Sequence, residues 1–153
     1  MNEFMQLGIT DTLARLLYKN GIKTPTEIQR AAIPAIFKGR DIVGRSETGT
    51  GKTLAYLLPV MQRVRTDTEN TQVLIMTPTR ELAKQVFQVA GTFAKDMNID
   101  VTDVIGGRTI ENQIQKLKRD PHIVIGTPGR LLDHLKRRTL DISNAGIVVL
   151  DEA

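Results

Sequence analysis

Apolar positions along the chain follow two rhythms. Short runs rich in Val and Ile, each closing at Gly, Thr-Pro or Asp, fall at Asp41 to Gly44, Gln72 to Thr77, Val101 to Ile105, His122 to Gly126 and Gly146 to Leu150. Their length and β-branched content predict five strands. Between them, Thr53 to Arg65, Arg80 to Asp96, Thr109 to Arg119 and Gly129 to Arg138 carry helical spacing. Two more helical stretches, Thr10 to Asn20 and Thr26 to Phe37, precede the first run. Strand and helix alternate, and near-continuous apolar strands suit a sheet buried on both faces. The expected fold is therefore α/β, a parallel sheet sandwiched by helices.

Local punctuation refines these boundaries. Thr24, Pro25 and Glu27 read as a capping box with proline at the first helical position. Pro34 should break or kink the helix that follows, and Gly39 should end it. The polar stretch Thr66 to Thr71 reads as a surface loop.

Composition narrows the class. With 153 residues, 41% apolar and 25% charged, the chain has the makeup of one ordinary globular domain. The absence of cysteine excludes disulfides, thiolate zinc sites and a cysteine nucleophile, and His122 and His134 alone suggest no metal cluster. The opening Met-Asn-Glu-Phe-Met-Gln has no signal-peptide pattern, and no apolar run is long enough to cross a membrane. A cytoplasmic protein without a membrane partner is expected. A net charge of +4 leans weakly towards a polyanionic partner.

The segment Ser46-Glu47-Thr48-Gly49-Thr50-Gly51-Lys52-Thr53, set between a predicted strand and a helix, changes the picture most. Gly49 and Gly51 let successive amides turn towards phosphate oxygens, and the helix start adds positive potential. Lys52 supplies a mobile cation, and Thr53 a hydroxyl for a phosphate-bridging Mg2+. The strict phosphate-loop pattern has glycine where Ser46 stands. The run Ile147 to Leu150 leads into Asp151-Glu152, the expected partner of such a loop: Asp151 to hold Mg2+, Glu152 to orient or deprotonate the attacking water.

Parallel strands present their following loops at one edge, where ligands bind. That edge would carry Thr77-Pro78-Thr79-Arg80, Gly106-Gly107-Arg108 and Thr127-Pro128-Gly129-Arg130. An arginine at a helix start is mildly unfavourable unless an anion or a carboxylate such as Glu81 accompanies it. Hydroxyls, glycine amides and arginines together suit a string of phosphates, gripped without regard to base sequence. The basic clusters Lys116 to Arg119 and Lys136 to Arg138 sit at helix C-terminal ends, where cations are favoured anyway.

Taken together these motifs resemble the DEAD-box family of ATP-dependent RNA helicases from Phe4 to Ala153. Gly21 to Gln29, with Phe4 upstream, resembles the Q motif. That likeness implies that Gln29 reads the adenine edge while Phe4, Ile22 and Thr24 help form the base pocket. Ile22 departs from the phenylalanine usual in the family. Ser46 to Thr53 resembles motif I, in which serine is normal at the first place. Pro78-Thr79-Arg80 resembles motif Ia, Gly106-Gly107 the GG element, and Thr127-Pro128-Gly129-Arg130 motif Ib, which implies single-stranded RNA held by its backbone. Asp151-Glu152-Ala153 resembles motif II without its last aspartate.

The resemblance implies an N-terminal RecA-like domain over residues 1–153, with the Q motif at 4–29 and ATP and Mg2+ as cofactors. Lys52, Asp151 and Glu152 would be its catalytic residues, and a second RecA-like domain of the same protein its partner. Because that second domain lies outside the sequence, the expected fragment is monomeric and hydrolyses ATP very slowly or not at all. A non-catalytic ATP- or RNA-binding module and a P-loop DNA helicase are the competing readings.

Overall fold

The computed structural model describes residues 2–47, 49 and 51–152. The chain divides into two compact units, Met1–Arg63 and Val64–Ala153.

In its described residues the first unit is helical: α1 (Glu3–Gln6), α2 (Asp11–Lys19), α3 (Glu27–Phe37) and α4 (Lys52–Arg63). Thr10 caps α2, accepting from the Leu13 N–H at 3.4 Å. Gln62 on α4 accepts from the Thr10 N–H at 2.9 Å and donates to the Gly8 carbonyl at 2.8 Å, which ties the α1–α2 turn to α4. Phe4, Leu13, Leu17, Ile33, Leu57 and Leu58 are fully buried.

Three expectations fail in this unit. Asp41 to Gly44 forms no strand; it runs as irregular backbone with Val43 94% exposed. A strand needs a ladder partner, and the described part of this unit offers only helices. The capping box belongs to Thr26 and Gln29 rather than to Thr24 and Glu27, so Pro25 lies outside α3. Pro34 does not end α3, which continues to Phe37 before Gly39 stops it with a positive φ. One missing N–H inside a helix is tolerated where packing holds both sides, and α3 packs along α4.

The second unit is built on β1 (Val73–Met76), β2 (Val101–Val104), β3 (Ile123–Gly126) and β4 (Ile147–Leu150), all parallel, in the order β2-β3-β1-β4. They alternate with α5 (Arg80–Ala94), α6 (Ile110–Leu117) and α7 (Pro128–Lys136), as the two rhythms predict. β1 and β3 are buried on both faces. Leu74, Val104 and Val124 cluster with Leu117 of α6 and Leu131 of α7. Helix α5 packs against β2 and β3 without joining that cluster and covers the other face, where Ile75, Ile123 and Ile125 point. At Gly126 an added Cβ would come within 2.8 Å of Leu131 Cγ, so glycine lets α7 start close against the sheet. No described helix is long and apolar enough to cross a membrane.

Candidate functional site

In the first unit the expected phosphate loop is held by α3 at Gly51. Thr26 caps that helix, its hydroxyl accepting from the Gln29 N–H at 3.4 Å while Gln29 Oε1 accepts from the Thr26 N–H at 2.9 Å. The other end of the same amide, Gln29 Nε2, donates to the Gly51 carbonyl at 3.0 Å. Gly51 O also accepts from the Ala55 N–H at 3.1 Å, so the carbonyl that Gln29 holds is the one that opens α4. Gly49 and Gly51 take left-handed φ values of 84° and 86°, and a Cβ on Gly51 would approach Thr26 Oγ1 to 2.9 Å. Glycine is required at position 51 by conformation and by space together.

This local chemistry fits a bound phosphate chain. The Ser46 hydroxyl is buried and has no hydrogen-bond partner among the described residues, an orphan that a ligand oxygen would satisfy. Lys52 and Thr53 occupy the first turn of α4, where the helix dipole favours an anion. Glu47 is exposed beside the loop; Thr48 and Thr50 lie outside the described residues. Around the expected base pocket, Phe4 is wholly buried, Ile22 half-buried and Thr24 exposed. Gln29 is only 2% exposed, with both ends of its amide engaged.

In the second unit the strand register does the positioning. Met76 pairs with both Gly126 and Leu150, and Val104 with Gly126, so all four strands end level. The ladder runs a step further into the loops: Thr77 N–H donates to Gly126 O at 3.0 Å and Asp151 N–H to Met76 O at 2.9 Å. The segments 77–80, 105–109, 127–130 and 151–152 therefore leave the sheet at one edge. Asp151 is buried at the end of β4; Glu152 follows it, exposed, in the left-handed region at φ 59°. Ala153 lies outside the described residues.

Each loop has its own support. Thr79 caps α5 through a 3.1 Å bond from the Leu82 N–H, and Thr77 Oγ1 donates to the Thr79 carbonyl at 3.1 Å. Pro78 and Arg80 flank that cap, exposed. The Arg80 guanidinium lies against Gly106 and Gly107: a Cβ on Gly107 would reach Arg80 Cζ at 2.9 Å, and one on Gly106 would reach its Nη2 at 3.3 Å. Thr127 precedes α7 with Pro128 at the helix start, and Gly129 is exposed beside it. Arg130 is held by neutral acceptors, its Nη1 donating to Arg108 O at 2.9 Å and to Gln113 Oε1 at 3.0 Å.

Sequence reasoning missed the polar residues behind this edge. Gln113 and His134 are buried side chains on α6 and α7. Asp103, its side chain 2% exposed, meets Arg108 Nη1 at 3.3 Å; both line a cavity of about 530 Å³ with Thr109, Asn112 and Lys116. A polar residue on the apolar stripe of a helix is the signal that would have found Gln113 and His134. No group of three His, Cys, Asp or Glu able to hold a metal occurs among the described residues.

Comparison with known proteins agrees with this arrangement. The chain matches the DEAD/DEAH box helicase family model over residues 26–153. It is 43% identical over its whole length to the DEAD-box ATP-dependent RNA helicases CshA of Bacillus cereus and Bacillus anthracis, covering 29% of each. It is 42% identical over 151 residues, 99% of its length, to the ATP-dependent RNA helicase CshA of Limosilactobacillus reuteri, covering 30% of it. The chain thus spans less than a third of the length of these relatives. A family match over more than half of the sequence, on a parallel sheet whose loops meet at one edge, makes this chain a member of the DEAD/DEAH box helicase family.

Proposed function

We propose that this chain is the N-terminal nucleotide- and RNA-gripping part of an ATP-dependent RNA helicase, whose longer form couples ATP hydrolysis to local opening of RNA duplexes. The observation that carries the reading is the level sheet edge, where Thr79, Arg80, Gly106, Gly107, Thr127 and Arg130 share one border with Asp151 and Glu152. Hydroxyls, amides and guanidinium groups in a row recognise a sugar-phosphate backbone and not base edges. Pro78, Pro128 and Gly129 shape the same border without offering side-chain donors of their own. The likeness to enzymes named as RNA helicases supports RNA as the strand.

In this reading Ser46 to Thr53 cradles the ATP phosphates, with Lys52 as the neutralising cation. Thr53 and Asp151 would hold Mg2+, which when bound offsets charge developing on the phosphate oxygens. Glu152 orients or deprotonates the attacking water. Ile22 and Thr24 line the base pocket, with Phe4 as its buried backing. Gln29 Nε2 has a second N–H and Oε1 a second lone pair, so it can read the adenine edge while still holding the Gly51 carbonyl and the Thr26 N–H. Base binding would then be felt directly by the phosphate loop. A second RecA-like domain of the same protein would close on this one and supply the groups that complete turnover.

The test uses the full-length protein. Lys52→Ala should abolish saturable binding of a fluorescent adenine nucleotide, and Glu152→Gln should leave that binding intact while stopping RNA-stimulated ATP hydrolysis. Normal turnover in Glu152→Gln would remove that residue from its role. Equal stimulation by DNA and RNA would replace the RNA helicase reading with a DNA helicase one.

A further inference from the structure

Gln113 is a polar side chain buried in the second unit, 3% exposed, and all the hydrogen-bonding capacity it shows is turned inward. Its Nε2 donates to the Ile105 carbonyl at 2.8 Å, which fixes the amide orientation, since an oxygen there would face an oxygen. Oε1 is thereby aimed the other way, where it accepts from Arg130 Nη1 at 3.0 Å and from His134 Nε2 at 2.8 Å. His134, fully buried, is itself fixed from behind by Thr139 Oγ1 at 2.8 Å from Nδ1. One amide on α6 thus joins the loop leaving β2, at Ile105, to α7, at Arg130 and His134. Arg130 Nη1 closes the circuit on the same β2 loop through Arg108 O at 2.9 Å.

An arginine tied by neutral acceptors keeps its full charge and loses only rotational freedom. A carboxylate partner would instead compete with any anion it is meant to meet. Nη1 is occupied, and among the described residues Nη2 and Nε have no hydrogen-bond partner, so the planar fork retains donors for a ligand oxygen. The same circuit sets the spacing between the Gly106-Gly107 turn and the Arg130 guanidinium.

We propose that Gln113 is a positioning residue: by bonding at once to the Ile105 carbonyl, His134 and Arg130, it locks the Arg130 guanidinium beside the glycine turn in register for a phosphate-bearing strand. The proposal rests on the reading of Arg130 as a backbone contact.

A double-mutant cycle in the full-length protein tests it, with single-stranded RNA affinity measured over a range of salt. Arg130→Ala should weaken binding on the order of tenfold and reduce the log–log salt slope by roughly 0.7, the loss of one phosphate contact on a single strand. Gln113→Leu should weaken binding by roughly three- to tenfold in the wild-type background but by less than about twofold in the Arg130→Ala background. Gln113→Glu keeps the reach but sets an oxygen against the Ile105 carbonyl and a carboxylate on Arg130, so it should weaken binding at least as much as Gln113→Leu does. If Gln113→Leu does not fold, Gln113→Asn, whose amide is too short to span the same partners, takes its place in the cycle.

Equal losses from the Gln113 substitution in both backgrounds would overturn the proposal, because a purely structural role adds independently of Arg130. So would an undiminished affinity in Gln113→Leu when Arg130→Ala binds weakly. Undiminished affinity in Arg130→Ala itself would overturn the backbone-contact reading and the proposal with it.

Discussion

Both ends of the Gln29 amide are in use, one completing the cap of α3 and the other holding the carbonyl that opens α4. Gln29→Ala removes the two at once, leaving the Thr26 N–H and one lone pair of Gly51 O without their protein partner. We expect a loss of about 1–2 kcal/mol of stability, from a broken capping box and one buried hydrogen bond. Weaker adenine nucleotide binding should accompany it. Denaturant unfolding and a nucleotide titration on the same variant check both; a stable variant with unchanged affinity would mean that the loop needs no hold from α3.

The same residue shows where sequence reading stops. Glutamine at position 29 is singled out by the likeness of Gly21 to Gln29 to the Q motif. Its second role as the capping partner of Thr26 is hidden by Thr24 and Glu27, which offer the same Thr-x-x-Glu spacing two residues earlier. Two overlapping cap signals cannot be ranked without knowing where the helix packs.

At the scale of elements, β1 to β4 and α5 to α7 fall within about two residues of their predicted bounds, because Val- and Ile-rich runs and amphipathic stretches carry strong periodicity. The run 41–44 carries the same composition and fails, since composition cannot reveal whether a neighbouring strand is there to pair with it. The four-residue α1 was invisible for the opposite reason: it is too short to show a period, and Asn2 defines it by accepting from the Phe4 N–H at 2.7 Å. Gln113 and His134 escaped because the bonds of Gln113 to Ile105, Arg130 and His134 cross between elements, 8 to 21 residues apart in the chain.

Helix α7 also carries a pH dependence. Burial, and secondarily the Arg130 guanidinium, push His134 below its ordinary value of 6.5, against a smaller opposing pull from Asp133; Arg137 adds to the lowering. The bond to Gln113 Oε1 assigns the neutral tautomer its proton on Nε2, leaving Nδ1 to accept from the Thr139 hydroxyl. Below about pH 6.5 the unfolded chain therefore takes up a proton that the folded chain resists. The stability contributed here is present above that pH, falls as the pH drops below it, and levels off once folded His134 also protonates. Urea unfolding between pH 7.5 and 5.5 should show this loss in the wild type and a smaller one in His134→Leu. Parallel pH profiles would show that another group is responsible.

At the scale of the whole molecule, large apolar side chains stand exposed in both units, at Ile42 and Val43 in the first and at Val148 and Leu150 in the second. Both places coincide with runs read from the sequence as strands; one is irregular and the other is a strand at the end of the sheet order. Among the described residues β4 pairs only with β1, so one row of its backbone groups is turned away from the sheet. Unpaired edges of this kind are where proteins accept a further strand or self-associate.

That one-sided pairing should leave a signature in amide hydrogen exchange. Along a parallel strand alternate N–H groups point to opposite sides, and those of Ile147 and Asp151 bond to Gln72 O and Met76 O on the β1 side. In deuterated solvent Val149 and Asp151 should therefore retain their protons through many cycles of local opening, while Val148 and Leu150 exchange at rates close to those of an open chain. Slow exchange at Val148 and Leu150 would reveal a strand or surface lying along that edge in solution, and its dependence on protein concentration would tell whether the covering segment comes from the same molecule or from another.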